Sequence, residues 1–543
     1  MAPLSNSSDI ACQTLMNSLL ENRLNWLSRD NSAALLRGGL KGIERETLRV
    51  SPTGQVSRHQ HPRELGSALT NRYITTDYSE ALLEFVTPAY PNTWEVQQFL
   101  CDVHQFVYAR IGDEVLWGAS MPCAMMRDED IPIARYGDSN IGLMKTIYRR
   151  GLGYRYGRKM QAIAGVHFNY SLPVDFWPAL QAHEGDKRQP QDYCSSMYMA
   201  MVRNLRRYGW LILYLFGTSP ALCKSFLPDG NAELEELDDS TWYGRYATSL
   251  RMSGLGYQND VQARLDVSAN SVEEYVADLN AAISTPSKRF QAIGVKVDGE
   301  YRQLSSNRLQ IENEYYSTVR PKRRAASGQR PTDALREQGV EYIEVRALDV
   351  NLFHPTGLDQ GQMRFLEAFL IYCGLSNSQA IDAAEQAEIS ERQTLVAQQG
   401  RRPGLGLQRN GTACGLREWA LELVEGIGNV AELLDDRTRD YSAAVAQQRA
   451  ACAEPQQTPS ARLLDQMADA GMSFPAFALR ESVAQRDYFR SLQPLPEDKY
   501  QLLDTEARES LRRQREIEEA DDEPFAEYLQ RYFDGAASKA LRG

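Results

Sequence analysis

The stretch GIERETLRV, residues 42–50, sets Glu44 and Glu46 two apart in an otherwise apolar run. Alternation along a strand sends both carboxylates to one face with Leu48, and Ile43, Arg45 and Thr47 to the other. The pattern recurs. In LLEFV, Glu84 shares a face with Leu82 and Val86. In GVHFNYS, His167 aligns with Ile163, Asn169 and Ser171, and in YIEVRAL, Glu344 aligns with Tyr342 and Arg346. In QIENEYY, Gln310, Glu312, Glu314 and Tyr316 fall together. A carboxylate in apolar company is costly unless a cation or hydrogen bonds offset it. The acids could pair with Arg45, Arg49 and Arg346. Alternatively they converge on a hard divalent cation, which takes oxygen ligands and bridges substrate phosphates. As a set, Glu44, Glu46, Glu84 and Glu344 exceed the arginines on their own faces, which shifts the balance towards a cation site. His167 is the weaker member: a lone histidine is more often a satisfied core residue, and imidazole suits Mn²⁺ better than Mg²⁺.

The stretch RPKRRAASGQR brings Arg320, Lys322, Arg323, Arg324 and Arg330 between two of these acid-bearing segments. It reads either as a solvated charge run or as a phosphate clamp, since Arg and Lys match phosphate oxygens. Acids for metal and bases for phosphate on one sheet point to phosphoryl transfer from ATP. Familiar nucleotide motifs are missing: there is no G-x-x-x-x-G-K-[ST], and GLGYRYG (151–157) lacks the preceding apolar strand of a dinucleotide fingerprint. No G-x-S-x-G elbow is present either.

The elements that must position these residues follow from periodicity. Residues 11–36 read as helical; strand-like segments fall at 42–50, 74–88 (part loop), 162–173, 308–319 and 340–350. Residues 184–192 and 321–333 read as exposed loops. Beyond about residue 356 the pattern is helical throughout, including a polar helix, EARESLRRQREIEEA, with i,i+4 pairs such as Glu509 and Arg513. The fold class is α+β, with a core over 1–357 and a helical region over 358–543 packed on it.

Composition is that of an ordinary globular chain: 543 residues, 43% hydrophobic and 24% charged. Acids outnumber bases 72 to 60, a net charge of −12, which argues against a nucleic-acid surface. The eight cysteines are scattered without a C-x-x-C pair, as reduced thiols are. No signal peptide is evident, and the most apolar run, Trp210–Phe216, is far short of the ~20 residues of a spanning helix. We expect a cytoplasmic monomer with no membrane partner.

Taken in order, GIERETLRV, ITTDYSEALLEFVTP, SMPC, GVHFNYSLP, YATSLRMSGLGY, IENEYYSTVRPKR and YIEVRALDVN resemble the proteobacterial type of glutamate–cysteine ligase, from about residue 35 to 357 and more loosely beyond. The resemblance implies a glutamine synthetase-like fold, in which a curved, mainly antiparallel sheet forms an open cavity surrounded by helices. It implies ATP-dependent joining of the L-glutamate γ-carboxyl to the L-cysteine amine, with Mg²⁺, for which Mn²⁺ may substitute. By motif, the metal ligands would be Glu44, Glu46, Asp77, Glu84, His167 and Glu344. The cysteine pocket would comprise Tyr148, Leu152, Ile163, Tyr257 and Tyr316, with Arg251 on the cysteine carboxylate. Arg346, beside Glu344, would face phosphate or the developing charge, helped by Arg320, Lys322 and Arg323. Gln399 stands where the family pattern has an acid. A related ligase with another acceptor amine, a non-catalytic metal-binding homologue and a structural protein with internally paired acids remain the alternatives.

Overall fold

In the computed structural model, residues 19–29, 32–123, 127–227, 233–255, 265–326 and 329–534 are described. Seven strands make one sheet: β1 (Leu40–Val50), β2 (Ile74–Thr76), β3 (Leu82–Val86), β4 (Val115–Leu116), β5 (Val166–Ser171), β6 (Val319–Lys322) and β7 (Tyr342–Leu348). The order is β6-β7-β5-β1-β3-β2, with β4 against the end of β1, and every pairing is antiparallel. β1 is long enough, at 11 residues, to pair with β5 along its first half and β3 along its second.

One face of the sheet is apolar. Ile43, Phe85, Phe168, Tyr170, Ile343 and Val345 are all fully buried there. Helices α1 (Thr93–Tyr108), α2 (Asn140–Tyr156), α3 (Pro190–Tyr208), α4 (Trp210–Phe216) and α5 (Gln360–Leu375) follow along the chain. Of these, α1 packs on β1, α3 on β6 and β7, and α4 on β7, while α5 lies against α1 and α3. The apolar run WLILYLF is α4, buried at every residue. A buried ion pair, Lys41 Nζ to Glu367 Oε2 at 2.8 Å, ties β1 to α5. Tyr441 donates to the same carboxylate at 2.7 Å, which satisfies its second demand. The helix after residue 358 therefore closes the main core.

Several expectations shift in detail. Residues 308–319 do not form a strand: Glu312–Glu314 is a 3₁₀ turn, and pairing starts only at Val319. Glu314 is spent on Arg155, at 2.8 Å, and Glu312 on Arg330, so a compact turn satisfies both acids where a strand would have aligned them. The C-terminal third is not wholly helical, because Gly406–Arg409 and Thr412–Gly415 form a hairpin turning at Asn410 and Gly411, both at positive φ. Glu509 pairs with Arg512 one turn on, at 2.7 Å, whereas Arg513 reaches back to Glu506. Of the first predicted helix, residues 19–27 are helical and Ser32–Leu36 is a 3₁₀ turn; the part before residue 19 lies outside the described residues.

Candidate active site

Cross-strand register builds the site. Glu44 stands opposite His167, Glu46 opposite Glu84, and Glu344 opposite Asn169 on one side and Arg320 on the other. All point away from the apolar face. His167 Nδ1 lies 2.9 Å from Glu44 Oε2 and 3.7 Å from Glu344 Oε1, and its Nε2 lies 3.5 Å from Glu46 Oε1. Asn169 Nδ2 donates to Glu44 Oε1 at 2.9 Å, and the Gly165 N–H donates to Glu46 Oε2 at 2.6 Å. One ligand atom each from Glu44, Glu84 and His167 fall within 4.8 Å of one another.

The arginines that could have neutralised this cluster are mostly elsewhere. Arg45 is turned to the opposite face, 1% exposed, with Nε and Nη1 unpartnered, and burial pulls it down to about 10. Arg49 is paired with Glu114 at 2.6 Å. Only Arg346 of the three reaches the acids, 3.2 Å from Glu344 Oε1 and 3.5 Å from His167 Nδ1. Lys322 Nζ adds a contact to Glu344 at 3.5 Å. Although burial opposes it, Glu344 is held well below the usual carboxylate range by Lys322, Arg346, His167 and Arg320. Glu84 goes the other way: burial first, then the charges of Glu44, Asp77 and Glu46, push it well above that range. Burial likewise raises Glu46, with His167 opposing.

The donor set fits a hard divalent cation. Glu344 Oε2 is buried without a hydrogen-bond partner, and Glu84 has neither hydrogen bond nor ion pair among the described residues. Such groups cost free energy that an oxygen-seeking cation would offset.

Above the cluster lies a cavity of about 280 Å³. It is lined by Glu46, Asp77 and His167, by the bases Arg149, Arg251, Arg320 and Arg346, and by Tyr148, Leu152 and Tyr316. Asp77 arrives from the turn between β2 and β3, where its carbonyl accepts from Tyr136 at 2.9 Å and from Arg149. Arg251 crosses directly over Gly165, where a Cβ would come within 2.1 Å of its Nη2. Its Nη2 donates to the Arg346 carbonyl at 3.1 Å, and Asp349 Oδ1 lies 3.8 Å from its Nη1.

Not every expected residue arrives. Arg323 is directed away from the cluster, donating from Nε to the Gly339 carbonyl at 2.9 Å and lying 3.7 Å from Glu341. It follows Lys322, the last residue of β6, and the alternation that directs Arg320 and Lys322 to Glu344 turns the next residue the other way. Ile163 is fully buried in the core and is not among the residues lining the cavity. Tyr257 lies outside the described residues. Arg149 and Arg155 line the cavity unforeseen. The signal was present: Arg149, Leu152 and Tyr156 share one face of a helix, and Leu152 was already assigned to the pocket.

The glutamate–cysteine ligase family model matches residues 24–396, a span holding every residue assigned above to the site. A glutamate–cysteine ligase of Pseudomonas putida is 49% identical over 506 residues, 93% of this chain and 96% of the relative. One from Azotobacter vinelandii is 49% identical over 522 residues, covering 95% and 98% respectively. Among solved structures, the Francisella tularensis glutamate–cysteine ligase in complex with AMP superposes with a TM-score of 0.88 at 35% identity, over 92% of this chain and 99% of that one. A bifunctional glutathione synthetase from Pasteurella multocida shares the fold, with a TM-score of 0.68 at 22% identity, over 86% of this chain and 55% of that one.

Proposed function

The chain belongs to the glutamate–cysteine ligase family, and from that premise we propose that its cavity joins the γ-carboxyl of L-glutamate to the amine of L-cysteine at the expense of ATP. A carboxylate is a poor acylating agent because oxide is a poor leaving group. Transfer of the γ-phosphoryl group to the carboxylate oxygen, with ADP leaving, gives γ-glutamyl phosphate. The cysteine amine attacks its acyl carbon, loses a proton and expels phosphate. The observation that carries this reading is that one cavity is lined by both sets: Glu46, Asp77 and His167 beside Arg149, Arg251, Arg320 and Arg346. Phosphoryl transfer asks for cation-holding acids and phosphate-facing bases within a few ångströms of each other.

Glu44, Glu46, Asp77, Glu84, His167 and Glu344 would hold Mg²⁺, or Mn²⁺ in its place. Bound there, the cation supplies neutralising charge to the phosphates. Arg346, raised above the ordinary guanidinium range by Glu344, Glu46 and Glu44 against the pull of burial, stays charged throughout and faces the transferring group. Arg320 and Lys322 extend that positive edge along β6. On the acceptor side, Arg251 receives the cysteine carboxylate, and Tyr148, Leu152 and Tyr316 enclose its short side chain. That enclosure favours a small apolar acceptor over a charged one. Helices and sheet form one core with the site on its open face, and we assign residues 1–357 to catalysis and 358–543 to its support.

An ADP-release assay with glutamate, cysteine, ATP and Mg²⁺, each omitted in turn, tests the reading. Release that requires all four supports it; release independent of cysteine, or none in the full mixture, rejects it. A screen of other acceptor amines in the same assay tests the choice of cysteine.

A further inference from the structure

A second cavity, of about 620 Å³, shares no lining residue with the first. It lies among α3, the 406–415 hairpin, α6 (Ala383–Gln399) and α7 (Leu416–Leu434). Its size is that of a small-molecule site. Three arginines line it, and two are spent. Arg207 forks onto Glu385 at 2.5 and 2.8 Å, and Arg409 onto Glu422 at 2.6 and 2.8 Å. Arg392 is different. It is 5% exposed, donates from Nη1 to the Gln408 carbonyl at 2.6 Å, and leaves Nε buried without a partner. Its guanidinium stands 4.8 Å from the centre of the Trp419 ring, whose indole N–H is also buried and unpartnered. No acid among the described residues forms an ion pair with Arg392; burial pulls it below the ordinary guanidinium range, with Glu388 and Glu385 opposing from beyond contact distance. A buried guanidinium without a carboxylate is an expensive arrangement that a carboxylate ligand would relieve.

The rest of the lining excludes a polyanion. Asp382 and Glu388 lie on the same helix as Arg392, or at its cap, and neither forms an ion pair among the described residues. Glu388 accepts only the Gly411 N–H, at 3.0 Å. Asp382 caps the helix, accepting the Glu385 N–H at 2.8 Å; a cation and acids without ion-pair partners in one cavity match a ligand carrying both charges.

The cavity is also mechanically joined to the active site. The C-terminal turn of α6 accepts hydrogen bonds at the Val396 carbonyl from Thr248 Oγ1 (3.0 Å), and at the Ala397 carbonyl from the N–H groups of Thr248 (2.9 Å) and Ser249 (3.1 Å). Two residues further on is Arg251, in the wall of the first cavity. These bonds make α6 the continuous physical connection between Arg392 and the segment that carries Arg251.

We propose that the second cavity is an effector site for a zwitterionic amino acid or short peptide, whose carboxylate meets Arg392 and whose ammonium meets Glu388 or Asp382, and that its occupancy alters the affinity for cysteine through α6. The binding half stands on the cavity alone; the coupling half rests on the role given to Arg251.

The full-length protein is titrated with glycylglycine and, separately, with L-alanine while tryptophan fluorescence is recorded. Acetylglycine, which lacks the ammonium, is the control. The expected result is a saturable signal with at least one of the two zwitterions, absent in Trp419→Phe, weakened tenfold or more in Arg392→Gln and Glu388→Gln, and retained in Glu344→Gln. Glu388 is only half-buried, so its variant remains informative if Arg392→Gln does not fold. In turnover, the bound probe is expected to change the cysteine KM at least threefold in the wild type and not in Glu388→Gln. No saturable Trp419-dependent signal overturns the site, as does equal binding of acetylglycine or loss of the signal in Glu344→Gln. A signal with an unchanged cysteine KM overturns the coupling. Because fluorescence does not require catalysis, failure of the site and failure of the ligase reading are distinguishable.

Discussion

Glu46 on β1 and Glu84 on β3 are direct cross-strand partners, and neither carboxylate has a lysine or arginine ion-paired to it among the described residues. Like charges placed opposite each other destabilise a sheet. The arrangement stores an electrostatic cost in the unliganded protein that a cation would discharge.

The first prediction concerns stability. Glu84 is pushed well above its ordinary value of 4.5, by burial and then by Glu44, Asp77 and Glu46. The folded protein therefore keeps a proton that the unfolded chain gives up. The stability linked to Glu84 is fully present below about pH 4.5 and is lost as pH rises through the raised value. Glu84→Gln removes that dependence. In thermal melts without divalent cation, the wild type is expected to lose stability relative to Glu84→Gln as pH rises above about 5. Mg²⁺ should narrow the gap from the wild-type side. Parallel curves across that range would remove Glu84 from the electrostatic account.

The second prediction concerns catalysis. Glu344 is 1% exposed and held in its charged form by Lys322, Arg346 and His167. Glutamine keeps its shape and removes its charge. Glu344→Gln and Glu44→Gln are each expected to lower phosphate release with glutamate and cysteine present by about 100-fold or more. Near-normal turnover in both variants would sink the cation assignment.

A third prediction separates acceptor from donor. Arg251→Lys keeps a positive charge but loses the fork that a carboxylate matches. Losing a charge-assisted hydrogen bond costs about 1.5–3 kcal/mol, so the cysteine KM should rise about tenfold or more while the glutamate KM changes little. Tyr316→Ala and Tyr257→Ala should act in the same direction. A cysteine KM unchanged in all three would place the acceptor elsewhere.

What the sequence disclosed follows from how local its signals are. Strand alternation placed Glu44, Glu46, Glu84, His167 and Glu344 on one face, because a period of two is set by the backbone and survives any tertiary context. It also placed Arg45 opposite them, where it is buried and pairs with none of them. Alternation failed at Gln310–Tyr316, because ion pairs from Arg155 and Arg330, distant or in a loop, bind Glu314 and Glu312 into a turn. No local pattern encodes those partners. Arg323 was misplaced for a related reason: it was grouped with the phosphate-facing bases of the run 320–330 by charge, and charge in a run does not set which way a side chain turns. Asp77 sits in a turn, without periodicity, and only the resemblance to the family singled it out. The second cavity left no trace at all, since its walls come from four separate segments.

The last prediction concerns helices remote in sequence from the catalytic core. α2 carries Tyr148, Arg149 and Leu152 into the cavity, and its N-terminus is held from the far end of the chain. Asn140 donates from its backbone N–H and, at 2.6 Å, from Nδ2 to the Asp521 carboxylate, and from Nδ2 to the Glu523 carbonyl at 2.8 Å. An acid at that position answers both the unsatisfied N–H groups and the helix dipole. The final helix, Phe525–Phe533, then sets Leu529 and Tyr532 against Met144 and Ile147, with Tyr148 packed at the edge of the same cluster. Leu529→Ala is expected to cost about 2 kcal/mol at this contact, and Asp521→Ala about 1 kcal/mol at the cap. Both loosen α2 against the sheet without touching Glu44, Glu344 or Arg346. The cysteine KM should therefore rise several-fold with little change in the ATP KM, and proteolysis near residue 520 should quicken. An unchanged cysteine KM in Leu529→Ala, with the faster proteolysis present, would show that the tail covers α2 without positioning the cysteine pocket.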